Sequence, residues 1–359
     1  MSEITANQQR LASAFDLEQP DRPPILGGWL ASPEAIQEIS NCSEDQYWDD
    51  TFGAGLRAER ALGSDGVIGI FEPVAAGTYR CVDDHVLNAR SEYSVDTVLQ
   101  EIDLLPDVDE LEEGFDEEAA FRQYLSSFKE RQHQCGDLLW CPAEWQVIPH
   151  GLWYHEYGYE TAMLTLALHP DRYRRLIDVS AIQANQRARI VARGIREGIT
   201  PRAVLTGEDL CSQEGPMVSP DYLRREYFPR LEFALEPLID AEAQIVWHCD
   251  GAYGRLLDDV LACGITGLQG FQKECGMDLE NIVTKRTNTG NQLLIFGPMS
   301  VTNTLPYGSE DDIREVVRWS MEVCRDNASL VFFTSNTITP DIPLQNIRTY
   351  WDAVLGSRW

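Results

Sequence analysis

The second half of the chain alternates short apolar runs with stretches of helical periodicity. Residues 203–209 (AVLTGED), 244–250 (QIVWHCD), 265–271 (ITGLQGF), 293–299 (LLIFGPM) and 330–336 (LVFFTSN) are apolar runs bounded by polar or glycine residues. Such runs predict parallel strands buried on both faces. Between them, residues 220–241, 254–263, 279–287 and 309–326 repeat apolar positions at helical spacing. Ser219-Pro220 supplies an N-cap with proline in the first turn, and Ser309 with Asp312 three residues on supplies a capping box. Five successive βα units predict a parallel sheet with right-handed crossovers.

Three earlier runs, 24–29, 66–71 and 138–143, are separated by longer irregular stretches. Three and five make eight strands, which with a length of 359 residues predicts a TIM (β/α)8 barrel rather than a doubly wound sheet. The expectation is one domain over residues 1–359. A helical lead-in lies within residues 1–20, with its helix over 3–15, and the alternating polar pattern of residues 77–100 predicts an inserted hairpin. No internal repeat or linker divides the chain.

Composition narrows the class without changing the fold. No run of about 18 apolar residues predicts a membrane span, and the N-terminus lacks a basic segment and an apolar signal core. A soluble, cytoplasmic protein is expected. Nine scattered cysteines, an odd number without a CxxC pair, predict free thiols in a reducing compartment and no common structural zinc pattern. The net charge of −29 argues against nucleic acid and anionic membranes as partners. Its local clusters, residues 107–113 and 310–312, read as helix starts or solvated faces.

The chemistry concentrates where residues 244–250 end in His248-Cys249-Asp250-Gly251. Alternation along a strand puts Val246, His248 and Asp250 on one face and Trp247 and Cys249 on the other. The functional pair is then His248 with Asp250. In a barrel the C-terminal strand ends converge, so Asp65, Glu144, Glu208, Asp209, His248, Asp250, Gln272, Ser300, Ser335 and Asn336 become candidates for one polar, proton-handling or metal-binding pocket. No glycine-rich phosphate loop precedes a helix. Trp29, Phe71, Trp145, Trp153, Tyr154 and Tyr157 are candidates for its wall, with core packing as the competing reading. His150 and His155, near Glu144 and Glu156, fit no metal motif. Cys211 is a candidate soft ligand, or a small buried hydrophobe.

Several segments together resemble the uroporphyrinogen decarboxylase-like superfamily. They are Gly207-Glu208-Asp209-Leu210, Gln213-Glu214-Gly215-Pro216, His248-Cys249-Asp250-Gly251, Gly264-Ile265-Thr266-Gly267-Leu268 and Ser335-Asn336-Thr337-Ile338-Thr339-Pro340. Asp21-Arg22-Pro23-Pro24 and Leu62-Gly63-Ser64-Asp65 fit the same pattern. The resemblance implies a TIM barrel with its active site at the C-terminal mouth. Tetrapyrrole decarboxylases of that superfamily carry an arginine-rich motif where this chain reads Gly28-Trp29-Leu30-Ala31-Ser32, and a late histidine where Asn336 stands. The resemblance therefore points to the branch of cobamide-linked methyltransferases and O-demethylase components.

Thiol-methylating members of that branch hold zinc with His-x-Cys and a later cysteine. The corresponding positions here are His248, Asp250 and Asn336, and oxygen donors make a harder site. The implied ligands are His248 and Asp250 with Glu208 or Asp209 completing a zinc site. The implied function is transfer of a methyl group from a small, methoxylated substrate to a corrinoid on a partner protein, with a homodimer expected from the resemblance. In this scheme Glu208, Asp209, His248, Asp250 and Asp65 are catalytic, while Trp29, Phe71, Glu144, Gln272, Ser335 and Asn336 bind substrate. One alternative is a cofactor-free decarboxylase in which Asp65 and Glu208 or Asp209 protonate carbon. That activity needs cationic residues, and only scattered arginines such as Arg80 and Arg255 are available. The other is a non-catalytic binding protein on a barrel scaffold.

Overall fold

The computed structural model describes residues 5–72 and 93–359. Eight short strands appear at the eight expected places. They are β1 (Leu26–Gly27), β2 (Gly66–Val67), β3 (Leu139–Trp140), β4 (Ala203–Gly207), β5 (Gln244–His248), β6 (Gly267–Gln269), β7 (Leu293–Phe296) and β8 (Ala328–Val331). All neighbours are parallel, in a three-stranded sheet β1-β2-β3 and a five-stranded sheet β8-β7-β6-β5-β4. Among the described residues no continuous eight-stranded ladder closes, so the expected barrel becomes a TIM-like α/β arrangement of two sheets. Single parallel bridges, Ile25↔Phe332 and Ala143↔Leu205, join them. The first sheet is short for a local reason. Pro23 and Pro24 lack the N–H a ladder needs, and Gly28 leaves strand geometry at φ +105°.

Side-chain alternation sorts the strands into two cores. Ala203, Leu205, Val246, Leu294, Phe296, Val331 and Phe333 share one cluster, and Val204, Ile245, Trp247, Cys249, Leu268 and Ile295 belong to the larger one beneath the helices. Val246 and Trp247 therefore point to opposite faces, as the alternation requires. The lead-in helix Ala6–Phe15 starts in a Thr5–Gln8 capping box and buries Leu11, Ala14 and Phe15 in the smaller cluster. The Phe15 and Phe296 rings lie 6.1 Å apart.

Helix Glu310–Cys324 begins in the expected Ser309–Asp312 capping box. Residues 220–241 are helical but widened by a π turn over Leu223–Tyr227, and Ser219 makes no side-chain cap bond. The stretches read as irregular contain helices Thr51–Leu62, Glu117–Cys135 and Pro170–Arg196. Their polar faces are laced with arginine–carboxylate pairs, such as Arg189–Glu112 and Arg193–Glu118, which blur the apolar period. The hairpin expected over 77–100 lies outside the described residues up to position 92. From Val95 the chain is instead helix Val95–Asp103, capped by Ser94 and burying Val98, Leu99 and Ile102 at helical spacing. No helix among the described residues is long and apolar enough to cross a membrane.

Candidate active site

Three side chains converge beyond the C-terminal ends of β4 and β5. His248 Nε2 lies 3.7 Å from Asp209 Oδ1 and 3.8 Å from Asp250 Oδ1. One ligand atom from each of the three fits within a 4.8 Å group. The β4–β5 register, with Gly207 opposite His248, brings the two strand ends together. Gly207 has to be glycine, because a Cβ there would sit 2.0 Å from the His248 carbonyl oxygen. The backbone N–H of Asp250 donates to Asp209 Oδ1 at 2.7 Å, locking one carboxylate to the strand that carries the other.

A second layer of amides holds this group. Asn336 Nδ2 donates to Asp250 Oδ2 at 2.6 Å, and Gln272 Oε1 accepts from the Gly251 amide at 2.8 Å. Gly251 turns at φ +77°, where a Cβ would meet the Ser212 carbonyl at 2.3 Å. Gln269, opposite His248 in the β5–β6 register, hydrogen-bonds His248 Nδ1 through Oε1. Its Nε2 donates to the carbonyls of Thr334 and Ser335 at 2.7 and 3.1 Å. Trp29 and Trp145 flank the imidazole at ring-centroid distances of 5.9 and 5.8 Å, both nearly perpendicular to it.

Other candidates stand apart. Glu208 turns away from His248: its two oxygens accept from the Gly151 amide at 2.8 and 2.9 Å, and Oε1 also from Leu152 at 3.0 Å. Burial pushes its carboxyl up in pKa, against the opposing pull of nearby His150 and these amides. It is Asp209, not Glu208, that joins His248 and Asp250. Glu208 instead pins the segment that carries Trp145, with Leu152 further held by the Tyr173 hydroxyl at 2.6 Å. His150 and His155 lie on this segment, against Trp153 and Tyr154.

Asp65 precedes β2 and so sits at the opposite, N-terminal end of the strands. It is fully buried, bonded to the two terminal guanidinium nitrogens of Arg22 at 2.8 and 3.0 Å, to Arg10, and to the Ile25 amide at 2.9 Å. The structure therefore does not bring it to the site, and the decarboxylase scheme loses its first proton donor. Glu144 follows β3 but pairs with Arg187 on helix Pro170–Arg196, at 2.9 and 2.7 Å. Ser335 is buried, its hydroxyl accepting from Val301 at 3.2 Å. Ser300 bonds Glu274 at 3.4 Å. Phe71 is half-buried at the edge of the described segment, and Arg80 lies outside the described residues. Cys211 and Cys249 are buried, and the eight cysteines among the described residues are free thiols. Burial raises the Cys249 thiol well above its ordinary value, which opposes thiolate ligation.

Gln269 is the site residue that sequence reasoning passed over in favour of Gln272. Its signal was present: a glutamine in the middle of the apolar run 265–271 must find a partner once buried.

The donor set fits a divalent cation. A tetrahedral zinc ion with ligands at about 2.0 Å separates them by about 3.3 Å, somewhat less than the observed 3.7 and 3.8 Å, which are too long for direct hydrogen bonds. One histidine and two carboxylates leave a fourth position for substrate or water. The fold as a whole is similar to that of a methyltransferase from Methanosarcina mazei, with a TM-score of 0.63, 16% identity, and 98% of each chain covered. At that identity the likeness is one of fold. The sequence matches no protein-family profile and no curated protein.

Proposed function

We propose that this chain is a zinc-dependent methyltransferase that moves a methyl group from a small methoxylated substrate to a corrinoid on a partner protein. The observation that carries the reading is the convergence of Asp209, His248 and Asp250 at the C-terminal strand ends, the end where barrel enzymes place their chemistry. The fold shared with a methyltransferase supports it. The eight strands, read as a TIM barrel joined at its two seams, make the three ligands the floor of the mouth. Zinc bound there supplies Lewis-acid activation of the oxygen from which the methyl group departs. That activation matters because an alkoxide or phenoxide leaves poorly.

The chain's own residues do the placing. Asn336 and the Asp250 amide fix the two carboxylates, and Trp29 and Trp145 wall the space beside His248. In balance, the oxygen–carbon bond would break, the methyl group would pass to the reduced corrinoid as acceptor, and the oxygen would leave as a hydroxyl with one proton taken from water. Purified protein is to be assayed for bound zinc and for methylation of free cob(I)alamin by methoxylated aromatic compounds, followed by the cobalamin absorbance. Bound zinc and methyl transfer, both lost in His248→Ala, are expected. Absence of zinc binding together with unchanged activity in His248→Ala overturns the reading.

A further inference from the structure

The geometry points to Gln269 as the residue that decides which nitrogen of His248 carries the proton, and so leaves the lone pair on the one that faces the site. Its amide has only one orientation that satisfies its surroundings. Two backbone carbonyls, of Thr334 and Ser335, lie at 2.7 and 3.1 Å from one end, and carbonyl oxygens only accept. That end is therefore the NH2 group. Turning the amide over would set its oxygen against two carbonyl oxygens and leave three buried acceptors unmet, a loss of the kind folded proteins avoid. With the NH2 group committed, Gln269 Oε1 is the atom that meets His248 Nδ1. An oxygen acceptor requires a donor opposite, so Nδ1 carries the proton. In the neutral imidazole the lone pair is then on Nε2, the nitrogen that looks at Asp209 and Asp250.

Gln269 is fully buried, so water does not compete for this bond. Gly270 follows at φ +87°, where a Cβ would crowd the Cys249 carbonyl at 3.0 Å and Nδ1 at 3.1 Å. Gln269 is thus a positioning residue. It acts through His248, presetting the imidazole as a donor of its Nε2 lone pair before any cation arrives. An outer partner of this kind is worth about 10- to 100-fold in metal affinity. The zinc arm of the test rests on the proposed function, whereas the tautomer does not.

The test uses the full-length protein labelled with 15N-histidine and long-range proton–nitrogen NMR at a pH where the imidazole is neutral. The expected signature for His248 is a protonated Nδ1 and a lone-pair Nε2. In Gln269→Leu the preference is lost, and the dissociation constant for zinc, titrated alone, rises by about 10- to 100-fold. A wild-type His248 protonated at Nε2 overturns the inference, as does unchanged zinc affinity in folded Gln269→Leu. If that variant does not fold, the wild-type tautomer decides alone. The expected tautomer without zinc binding would refute the proposed function and leave the role of Gln269 standing. Zinc binding by a protein whose His248 carries its proton on Nε2 would do the reverse.

Discussion

Replacing Asp65 by asparagine keeps the side chain's shape and removes its charge. In the native protein that carboxylate, wholly buried, accepts from Arg22 twice, from Arg10 and from the Ile25 amide. Asparagine can still accept from one or two of these, but its NH2 group then faces a guanidinium. Arg10 retains Asp21, at 2.7 Å, whereas the buried Arg22 forms no other carboxylate salt bridge among the described residues and retains the Pro23 carbonyl at 2.9 Å. Removing one partner of a buried pair costs about 3–5 kcal/mol, because the other charge stays desolvated. An unfolding entropy of about 2.1 cal/mol/K per residue, taken over the chain, gives about 0.75 kcal/mol per degree. The expected fall in Tm is therefore about 4–7 °C, read by circular dichroism at neutral pH. Zinc affinity should stay within about twofold, since Asp65 lies at the far end of the strands from Asp209, His248 and Asp250. A variant with unchanged Tm but lost zinc binding or lost methyl transfer would refute this reasoning and return Asp65 to the chemistry.

Two further expectations follow from buried carboxylates. Glu208→Gln replaces an acceptor facing the Gly151 and Leu152 amides by a group that also donates, leaving an amide unmet at about 1–3 kcal/mol. Hydrogen exchange at those two amides should quicken by about 5- to 150-fold with zinc affinity unaffected, whereas lost zinc binding would place Glu208 among the ligands. Glu59 is buried, with Gly28 and Ser64 as donors at 2.7 and 2.6 Å, and burial outweighs them to raise its pKa above the ordinary 4.5. Its ionised form is thus disfavoured in the folded state, so its stabilising contribution is complete below pH 4.5 and is lost as pH rises through the raised value. Glu59→Gln should remove that loss, and its stability relative to wild type, measured by urea titration, should grow with pH above 4.5; a pH-independent difference would contradict the assignment.

Much of the site was legible in one strand because a strand's geometry is local. Period-two alternation separates His248 and Asp250 from Trp247 and Cys249 with no knowledge of any neighbour. The apolar runs likewise revealed the eight strand positions, since burial on both faces leaves a continuous hydrophobic signature. Adjacent carboxylates are a different matter. Period-two alternation carried on from Ala203 and Leu205 would have put Asp209 rather than Glu208 on the face of Val246 and His248, but the strand ends at Gly207 and the sequence does not say that the period survives past it.

Asp65 shows the same limit from another direction. The run 66–71 begins directly after it, so its place at the N-terminal end of the strand was legible, whereas its role follows from Arg10 and Arg22, 55 and 43 positions away. Gln269 could be recognised as a buried polar residue needing a partner, but that the partner is His248 follows only from the β5–β6 register. Local pattern thus established the strands and the chemistry-bearing residues, which depend on side-chain period and polarity along a few consecutive positions. The pairing of those residues depends on strand register and on the amides and guanidiniums that folding sets opposite them, so only the packed chain could join Asp209 to the Asp250 amide, Glu208 to the Gly151 and Leu152 amides, and Asp65 to Arg10 and Arg22.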